Sequence, residues 1–282
     1  MSTLSQSATH PLYDQLIQQG FCHIPDVAPP ALIEEMHLVT DQLIAHMTPE
    51  EQSHSRLQGS LINVLDHHAL GKLIALSQAI DALRALGFQA PKFYSGYIIS
   101  KPPQKAPALF WHQDGINWSE PINYTDTPVQ LFLMYYLIDT DRTNGCLRII
   151  PGSHRKRHQL HGLAAPDTPE IQQAQEGHPA LEPHPDEVDV PVCAGDLIVG
   201  DARLLHAAHP NRSAQRRTCV TLWFCPLYDQ LPESLQAVYG RPLEKPDHWP
   251  DEAWTRLEPL LGRYEGSALP LERNRVPGPQ LK

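Results

Sequence analysis

The sequence predicts a mainly β fold with flanking helices, in which two antiparallel sheets form a jelly roll. Seven or eight short apolar segments follow one another from Lys92 onward, and the turns between them carry Pro, Asp, Asn and Gly. The 282 residues include 28 prolines and only 7% aromatic residues, a composition that favours many turns over long helices. Because the strands do not alternate with helices, a double-sheet jelly roll is favoured over a parallel sheet.

The N-terminal part of the chain is predicted to be largely helical. Prolines and glycines mark the element ends, and apolar residues at helical spacing give each helix one face to bury. The predicted elements are a helix over 11–19 that stops at Gly20, a strand over 21–25, a helix from Pro29–Pro30 to His46 or Met47, and one or two helices ending at Gly87.

The strands and connections of the remaining chain complete a single predicted domain over 1–282. Its parts are a helical segment at about 10–90, a jelly-roll core at about 92–228 and a C-terminal extension over 229–282. The strands are predicted at 93–100, 108–114, 129–138, 146–150, 188–192, 196–205 and 217–224.

One connecting segment has a composition that bears on function. Residues 154–187 form a long polar loop, which is either a solvated insertion or a lid whose basic start, Arg155–Lys156–Arg157, meets an anionic substrate group.

In the C-terminal extension, a short helix is predicted within 249–261. The tail over 270–282 has few apolar residues and is expected to be poorly ordered.

Composition excludes several classes of function. The 32 acidic and 22 basic residues give a net charge of −10, so no basic bias favours nucleic acid or an anionic membrane. The five cysteines form no C-x-x-C pair, which favours reduced, buried thiols over disulfides or a zinc knuckle. No basic segment followed by an apolar run opens the chain, and no stretch reaches the length of a membrane span. We therefore expect a soluble cytoplasmic protein.

The first candidate metal ligands are His112 and Asp114, on a short aromatic strand. Alternate strand residues share a face, so these two side chains point the same way while Gln113 points to the other side. A second histidine would complete the two-histidine, one-carboxylate set that leaves three positions open on a non-haem iron. Alone the pair is a weak signal, because the chain has 16 histidines.

The second histidine is expected far along the chain, and His206 and His209 are the candidates. His206 follows an apolar strand, whereas His209 precedes a proline and belongs to a turn. Beyond the turn, Arg217 shares one face of a strand with Thr221 and Trp223. A buried arginine needs an anionic partner, and an acid co-substrate held by a bidentate pair would supply one.

The chain resembles the phytanoyl-CoA dioxygenase-like branch of the Fe(II)/2-oxoglutarate oxygenases over roughly residues 10–228. In that family the distal histidine is followed by Asn at plus five, Ser or Thr at plus seven and Arg at plus eleven, which fits His206 and not His209. The motifs that carry the resemblance are Gln19-Gly20-Phe21, Lys101-Pro102-Pro103, His112-Gln113-Asp114, Asn144-Gly145-Cys146-Leu147, Pro151-Gly152-Ser153-His154, Ala194-Gly195-Asp196, and Asn211, Ser213 and Arg217.

The resemblance implies a double-stranded β-helix core of the cupin-like kind and a set of ligand roles. Fe(II) would be held by His112, Asp114 and His206, Arg217 would bind the distal carboxylate of 2-oxoglutarate, and O2 would be the second co-substrate. Met134 stands where a relative has a tryptophan that contacts the co-substrate, so further contacts are open. The candidates are Tyr97, Gln113 and Thr221.

The implied reaction is hydroxylation of an unactivated C–H bond in a small-molecule metabolite, with release of succinate and CO2. The same oxidant also serves desaturation or ring formation, while Asp114 argues against a halogenase. Asn117, Trp118 and Trp223 are the predicted substrate contacts, although Trp111 and Trp118 could equally fill the barrel. Two alternatives use the same ligands: a zinc or manganese jelly-roll hydrolase or isomerase, and a non-catalytic cupin-like binding protein.

Overall fold

The computed structural model describes residues 11–163 and 168–282. The α-helices of these residues are α1 Pro11–Gln19, α2 Pro30–Ala45, α3 Pro49–His54, α4 Gly71–Ile74, α5 Ser77–Ala85, α6 Pro169–Gln172, α7 Glu233–Tyr239 and α8 Asp251–Thr255. The strands are β1 Phe21–Ile24, β2 Ile62–Asn63, β3 Lys92–Lys101, β4 Leu109–His112, β5 Leu131–Tyr136, β6 Leu147–Ile149, β7 Val188–Val190, β8 Leu197–Asp201, β9 His206–Ala208 and β10 Arg217–Cys225.

The strands form two antiparallel sheets. The larger sheet has the order β1-β8-β5-β10-β3-β2, and the smaller has the order β4-β9-β6-β7. From β3 onward the chain crosses between the sheets at every connection except that from β6 to β7. The prediction of two antiparallel sheets with flanking helices is therefore confirmed.

The larger sheet buries a different set of side chains on each face. On β10, Val220, Leu222 and Phe224 face the helices and join the main core with residues such as Met36 and Leu83. The alternate residues of β10 face the smaller sheet, as the period of two predicts. Burying these apolar side chains contributes about 1.5–3 kcal/mol each and fixes the register of the sheet.

The expectation of one strand over 196–205 is wrong. Strand β8 ends at Asp201, and β9 in the other sheet begins at His206. The turn between them is held by Arg203, whose guanidinium bonds Asp201 Oδ1 at 2.9 Å and Oδ2 at 2.6 Å, with both side chains about 3% exposed. Arg203 Nη1 also donates to the carbonyl of Asn123 at 2.8 Å. This buried pair redirects the chain so that His206 enters the smaller sheet.

The described part of 154–187 covers the free edge and outer face of β4. The amide of Trp111 donates to the carbonyl of Ala180 at 2.7 Å, and its indole Nε1 donates to that of Glu182 at 2.9 Å. Arg148 stacks 4.9 Å from the Trp111 ring and donates to Leu181 O at 2.7 Å. Trp111 thus fills space outside the smaller sheet. The segment, in its described residues, braces the strand that carries His112.

The expectation of a poorly ordered tail is also wrong. Asn274 donates its amide to Ile116 O at 2.6 Å and accepts the amide of Trp118 at 3.0 Å. Arg157 donates to the carbonyl of Gly278 at 2.7 Å. Backbone pairing orders this segment although it buries few apolar side chains. None of the helices in the described ranges has the length and apolar character needed to cross a membrane.

Replacing Arg203 by Ala is expected to lower the free energy of unfolding by about 3–5 kcal/mol, because it leaves the Asp201 carboxylate buried and unpaired. Urea denaturation measures the loss. Arg263, an exposed arginine, supplies the control: its replacement by Ala should change the stability by no more than about 0.5 kcal/mol. Equal effects of the two substitutions would show that the Asp201–Arg203 pair does not hold this turn.

Candidate active site

The two predicted histidines lie directly opposite each other in the smaller sheet. His112 ends β4, His206 begins β9, and the two are partners in the pairing of these strands. A register irregularity between Leu109 and His112 turns the end of β4, and the ring centroids of the histidines lie 4.2 Å apart. The pairing therefore brings together two residues that are far apart in sequence.

Each imidazole is oriented by its own strand. His112 Nδ1 lies 2.9 Å from the carbonyl of Phe110, and His206 Nδ1 lies 3.0 Å from that of Leu204. Because a carbonyl can only accept, both Nδ1 atoms carry the hydrogen, and both Nε2 lone pairs remain available to a metal. Burial, with a smaller effect of His206, lowers the pKa of His112 to about 3, which keeps this ring neutral near pH 7.

Asp114 completes the cluster from just beyond β4. Its Oδ1 lies 3.6 Å from His112 Nε2, and its Oδ2 lies 3.7 Å from His206 Nε2. The indole Nε1 of Trp223 donates to Oδ2 at 2.9 Å and fixes the carboxylate. Three donor atoms thus converge from neighbouring positions, and the set fits a first-row divalent metal with its remaining positions open.

His209, the other histidine considered from the sequence, lies elsewhere. Its Nε2 is 2.6 Å from Asp189 Oδ1, and Cys146 is also within reach of this pair. Arg142 lies 3.6 Å from Asp189 Oδ2, so the charge of this carboxylate is already balanced. The geometry therefore selects His206 as the partner of His112.

Arg217 is buried with no acidic partner among residues 11–163 and 168–282. It is 2% exposed, its Nη1 donates to the carbonyl of Ile99 at 3.4 Å, and its Cζ lies 5.7 Å from the centroid of the Tyr136 ring. Its Nε has no hydrogen-bond partner. A buried guanidinium with an unused N–H is the arrangement expected of a site for an anionic ligand.

Lys101 is a second buried basic residue at this position, and no pattern in the sequence pointed to its role. It pairs with Arg217 across β3 and β10, and its Nζ donates to the carbonyls of Leu57 and Pro107. Burial, followed by the charge of Arg217, lowers its pKa well below the usual value. Gly145 has a φ of +98° there, and a Cβ on it would lie 3.4 Å from Arg217 Nε. The turn needs glycine both for its backbone and for this approach.

A cavity of about 310 Å³ opens onto the metal ligands. Tyr97 and Trp223 line it, with their rings edge to face at 6.0 Å, beside His112 and Asp114. Thr221, by contrast, is 1% exposed and lies in β10 between Tyr97 and Met134 of the flanking strands. Its role as a co-substrate contact stays a prediction.

Two arginines of the C-terminal extension also line this cavity. Arg273 and Arg275 are contributed by the ordered tail. Nothing in the sequence distinguishes Arg273 and Arg275 as functional residues, because a charged tail has no pattern that links it to a site.

Three predicted contacts lie outside this cavity. The Gln113 amide group donates to the carbonyl of Arg275 at 2.9 Å and accepts the Trp118 indole N–H at 3.0 Å. Trp118 is 2% exposed and packs 5.2 Å from the Tyr124 ring, while Asn117 donates to the Tyr239 hydroxyl. Their side chains are used in packing and in holding the tail. Their roles as contacts of co-substrate or substrate stay predictions, and Trp223 is the predicted substrate contact that lines the cavity.

The fold has two antiparallel sheets, and its site is a two-histidine, one-carboxylate cluster that could hold a metal ion, as in the non-haem iron class of proteins. The family model for phytanoyl-CoA dioxygenase (PhyH) matches residues 16–219, most of the chain. The protein therefore belongs to the phytanoyl-CoA dioxygenase family, as the sequence predicted.

The similar proteins include curated relatives and solved structures. A probable alpha-ketoglutarate-dependent hypophosphite dioxygenase of Stutzerimonas stutzeri is 29% identical over 153 residues, 53% of this chain and 50% of that protein. Phytanoyl-CoA dioxygenase domain-containing protein 1 of Bos taurus is 26% identical over 210 residues, 72% of this chain and 64% of that protein. The chain thus spans only half to two thirds of the length of these relatives.

Among solved structures, the non-heme alpha ketoglutarate dependent epimerase SnoN from nogalamycin biosynthesis superposes with a TM-score of 0.57 at 16% identity. The match covers 94% of this chain and 96% of that one. This likeness shows the fold. The family match and the curated name of the Stutzerimonas relative confirm, at the level of the family, the predicted dependence on 2-oxoglutarate.

Anaerobic addition of Fe(II) and 2-oxoglutarate to the protein is expected to give a weak visible charge-transfer band, because the co-substrate chelates a metal with open positions. His112→Ala, Asp114→Ala and His206→Ala should each abolish it. His209→Ala is the matched control and should retain the band. A normal band in any of the three ligand variants would refute the ligand assignment.

Proposed function

We propose that the protein is an Fe(II)- and 2-oxoglutarate-dependent dioxygenase that hydroxylates an unactivated C–H bond of a small-molecule metabolite. The single observation that carries this proposal is the pairing of a convergent His112, Asp114 and His206 set with a buried, unbalanced Arg217. A metal hydrolase activates water at its open position, and that step does not itself require a buried cation. The two features together match a metal that binds an acidic co-substrate.

The protein residues supply geometry and charge. His112 and His206 present their Nε2 atoms, and Trp223 orients the carboxylate of Asp114. Arg217 binds the distal carboxylate of 2-oxoglutarate, with its unused Nε available for a bidentate pair. When bound, iron and 2-oxoglutarate supply the oxidation, in which dioxygen is consumed and succinate and CO2 are released.

The alternation of strands between the sheets supports a further part of the proposal, that the core is a double-stranded β-helix. His112 lies in β4 of the smaller sheet and Arg217 in β10 of the larger sheet, which agrees with a co-substrate held between the two sheets. We place the enzyme in the cytoplasm as one domain. All five cysteines are free thiols, and burial raises the pKa of Cys22 and Cys146 to about 12, consistent with inert reduced thiols.

Hydroxylation, desaturation and ring formation all begin with removal of hydrogen from the substrate, and the position of the substrate C–H bond relative to the metal decides between them. The most informative experiment is therefore a screen of small metabolites scored by succinate formation, followed by mass spectrometry. A gain of one oxygen supports hydroxylation, and a loss of two hydrogens indicates desaturation or ring formation. Turnover with zinc and without oxygen consumption would instead establish a hydrolase or isomerase, and no turnover of any compound would favour a binding protein.

Arg217→Ala is expected to raise the 2-oxoglutarate concentration needed for half-maximal succinate formation by about 10- to 150-fold, because charge-assisted hydrogen bonds contribute about 1.5–3 kcal/mol. The Fe(II) requirement should change much less. Arg263→Ala, on the protein surface, should leave both requirements unchanged. If Arg217→Ala shifts the iron and 2-oxoglutarate requirements equally, Arg217 has a structural role only.

A further inference from the structure

We infer that the prime substrate carries a small oxyanion, a carboxylate or a phosphate group, which Arg273 and Arg275 bind at the mouth of the cavity. This inference rests on the proposed function, since it takes the cavity beside the metal ligands as the substrate site. Both arginines line that cavity together with Trp223 and Tyr97. A guanidinium matches the planar, bidentate geometry of such an anion better than any other side chain.

Hydrogen bonds of the C-terminal tail hold these two side chains beside the cavity. Arg275 Nη1 donates to the carbonyl of Gln113 at 3.1 Å, and the Gln113 side chain donates back to the carbonyl of Arg275 at 2.9 Å. Asn274, between the two arginines, pairs with the backbone of Ile116. These bonds attach the tail to the chain on either side of Asp114. The arginines are therefore held in place relative to the metal ligands.

The charges of the loaded site leave both arginines without a counter-charge. Neither forms an ion pair in the parts of the chain that the structure describes. The charges of Fe(II) and Arg217 balance those of Asp114 and the two carboxylates of 2-oxoglutarate. Two positive charges then remain at the cavity, although the whole protein carries −10. A local excess of positive charge of this kind attracts a negatively charged ligand.

The basic segment Arg155–Lys156–Arg157, for which the sequence suggested a contact with an anionic substrate group, does not bind that group in this proposal. Arg155 Nη2 lies 2.6 Å from Asp126 Oδ1, which balances its charge. Arg157 is used to hold the tail through the carbonyls of Pro277 and Gly278. The run over 155–157 therefore supports the segment that carries the anion site and does not itself line the cavity.

The cavity also limits the size of the substrate. Its volume of about 310 Å³ lies at the lower end of the range of about 300–1,000 Å³ found for small-molecule sites. The aromatic walls of Phe110, Tyr97 and Trp223 favour an apolar body next to the anionic group. A compact acid or phosphate ester, anchored by the arginines with its apolar part toward the metal, fits these constraints.

The test measures binding to the protein loaded anaerobically with Fe(II) and saturating 2-oxoglutarate. The probes are benzoate, phenyl phosphate and the neutral benzamide, and binding is followed by calorimetry and by the shift of the charge-transfer band. The proteins are the wild type, Arg273→Gln, Arg275→Gln, the double variant and the control Arg263→Gln. The Arg273 side chain forms no hydrogen bond with the described residues, so its replacement leaves the tail attached.

The wild type should bind an anionic probe and not benzamide, and the preferred probe distinguishes a carboxylate from a phosphate site. The double variant should bind that probe at least tenfold more weakly, which is about 1.4 kcal/mol. Arg263→Gln should bind it as the wild type does. With the band intact, no anion binding by the wild type, or equal binding by the double variant, overturns this inference. Absence of the band from the wild type overturns the proposed function instead.

Discussion

The pairing of β4 with β9 is the constraint on which the site depends. It sets His112 opposite His206, and the irregular register before His112 leaves Asp114 beside both rings. Strand β4 is an edge strand of only four residues, so its position needs support. The described residues of 154–187 supply this on one side through Trp111, and the C-terminal tail bonds the chain on either side of Asp114.

Buried positive charge is the main cost that the fold carries for function. Arg217 lies away from solvent beside Lys101, and its charge is only partly compensated by the carbonyl of Ile99. A buried charge without an acidic partner destabilises a protein, so this arrangement makes sense where a ligand supplies the missing negative charge. The buried Asp201–Arg203 pair shows the contrast, since its charges are balanced within the chain and it serves only to turn the backbone.

The sequence predicted the local part of this structure and missed the part that depends on long-range contacts. Strand alternation predicted the common face of His112 and Asp114. The family resemblance, through the spacing of Asn211, Ser213 and Arg217 from His206, predicted the distal half of the candidate site. The break between Asp201 and His206 was not predicted, because an apolar run of residues gives no sign that the chain passes from one sheet to the other. The hydrogen bonds of Gln113 and Trp118 beside the tail, and the position of Arg273 and Arg275 at the cavity, were not predicted, because all four depend on where the tail runs.

A crystal structure of the protein grown without oxygen, with Fe(II) and 2-oxoglutarate, tests the central claim most directly. The account predicts iron bonded to His112 Nε2, His206 Nε2 and a carboxylate oxygen of Asp114, with the distal carboxylate of 2-oxoglutarate paired with Arg217. Iron bound at Cys146, Asp189 and His209, or 2-oxoglutarate bound away from Arg217, would contradict it.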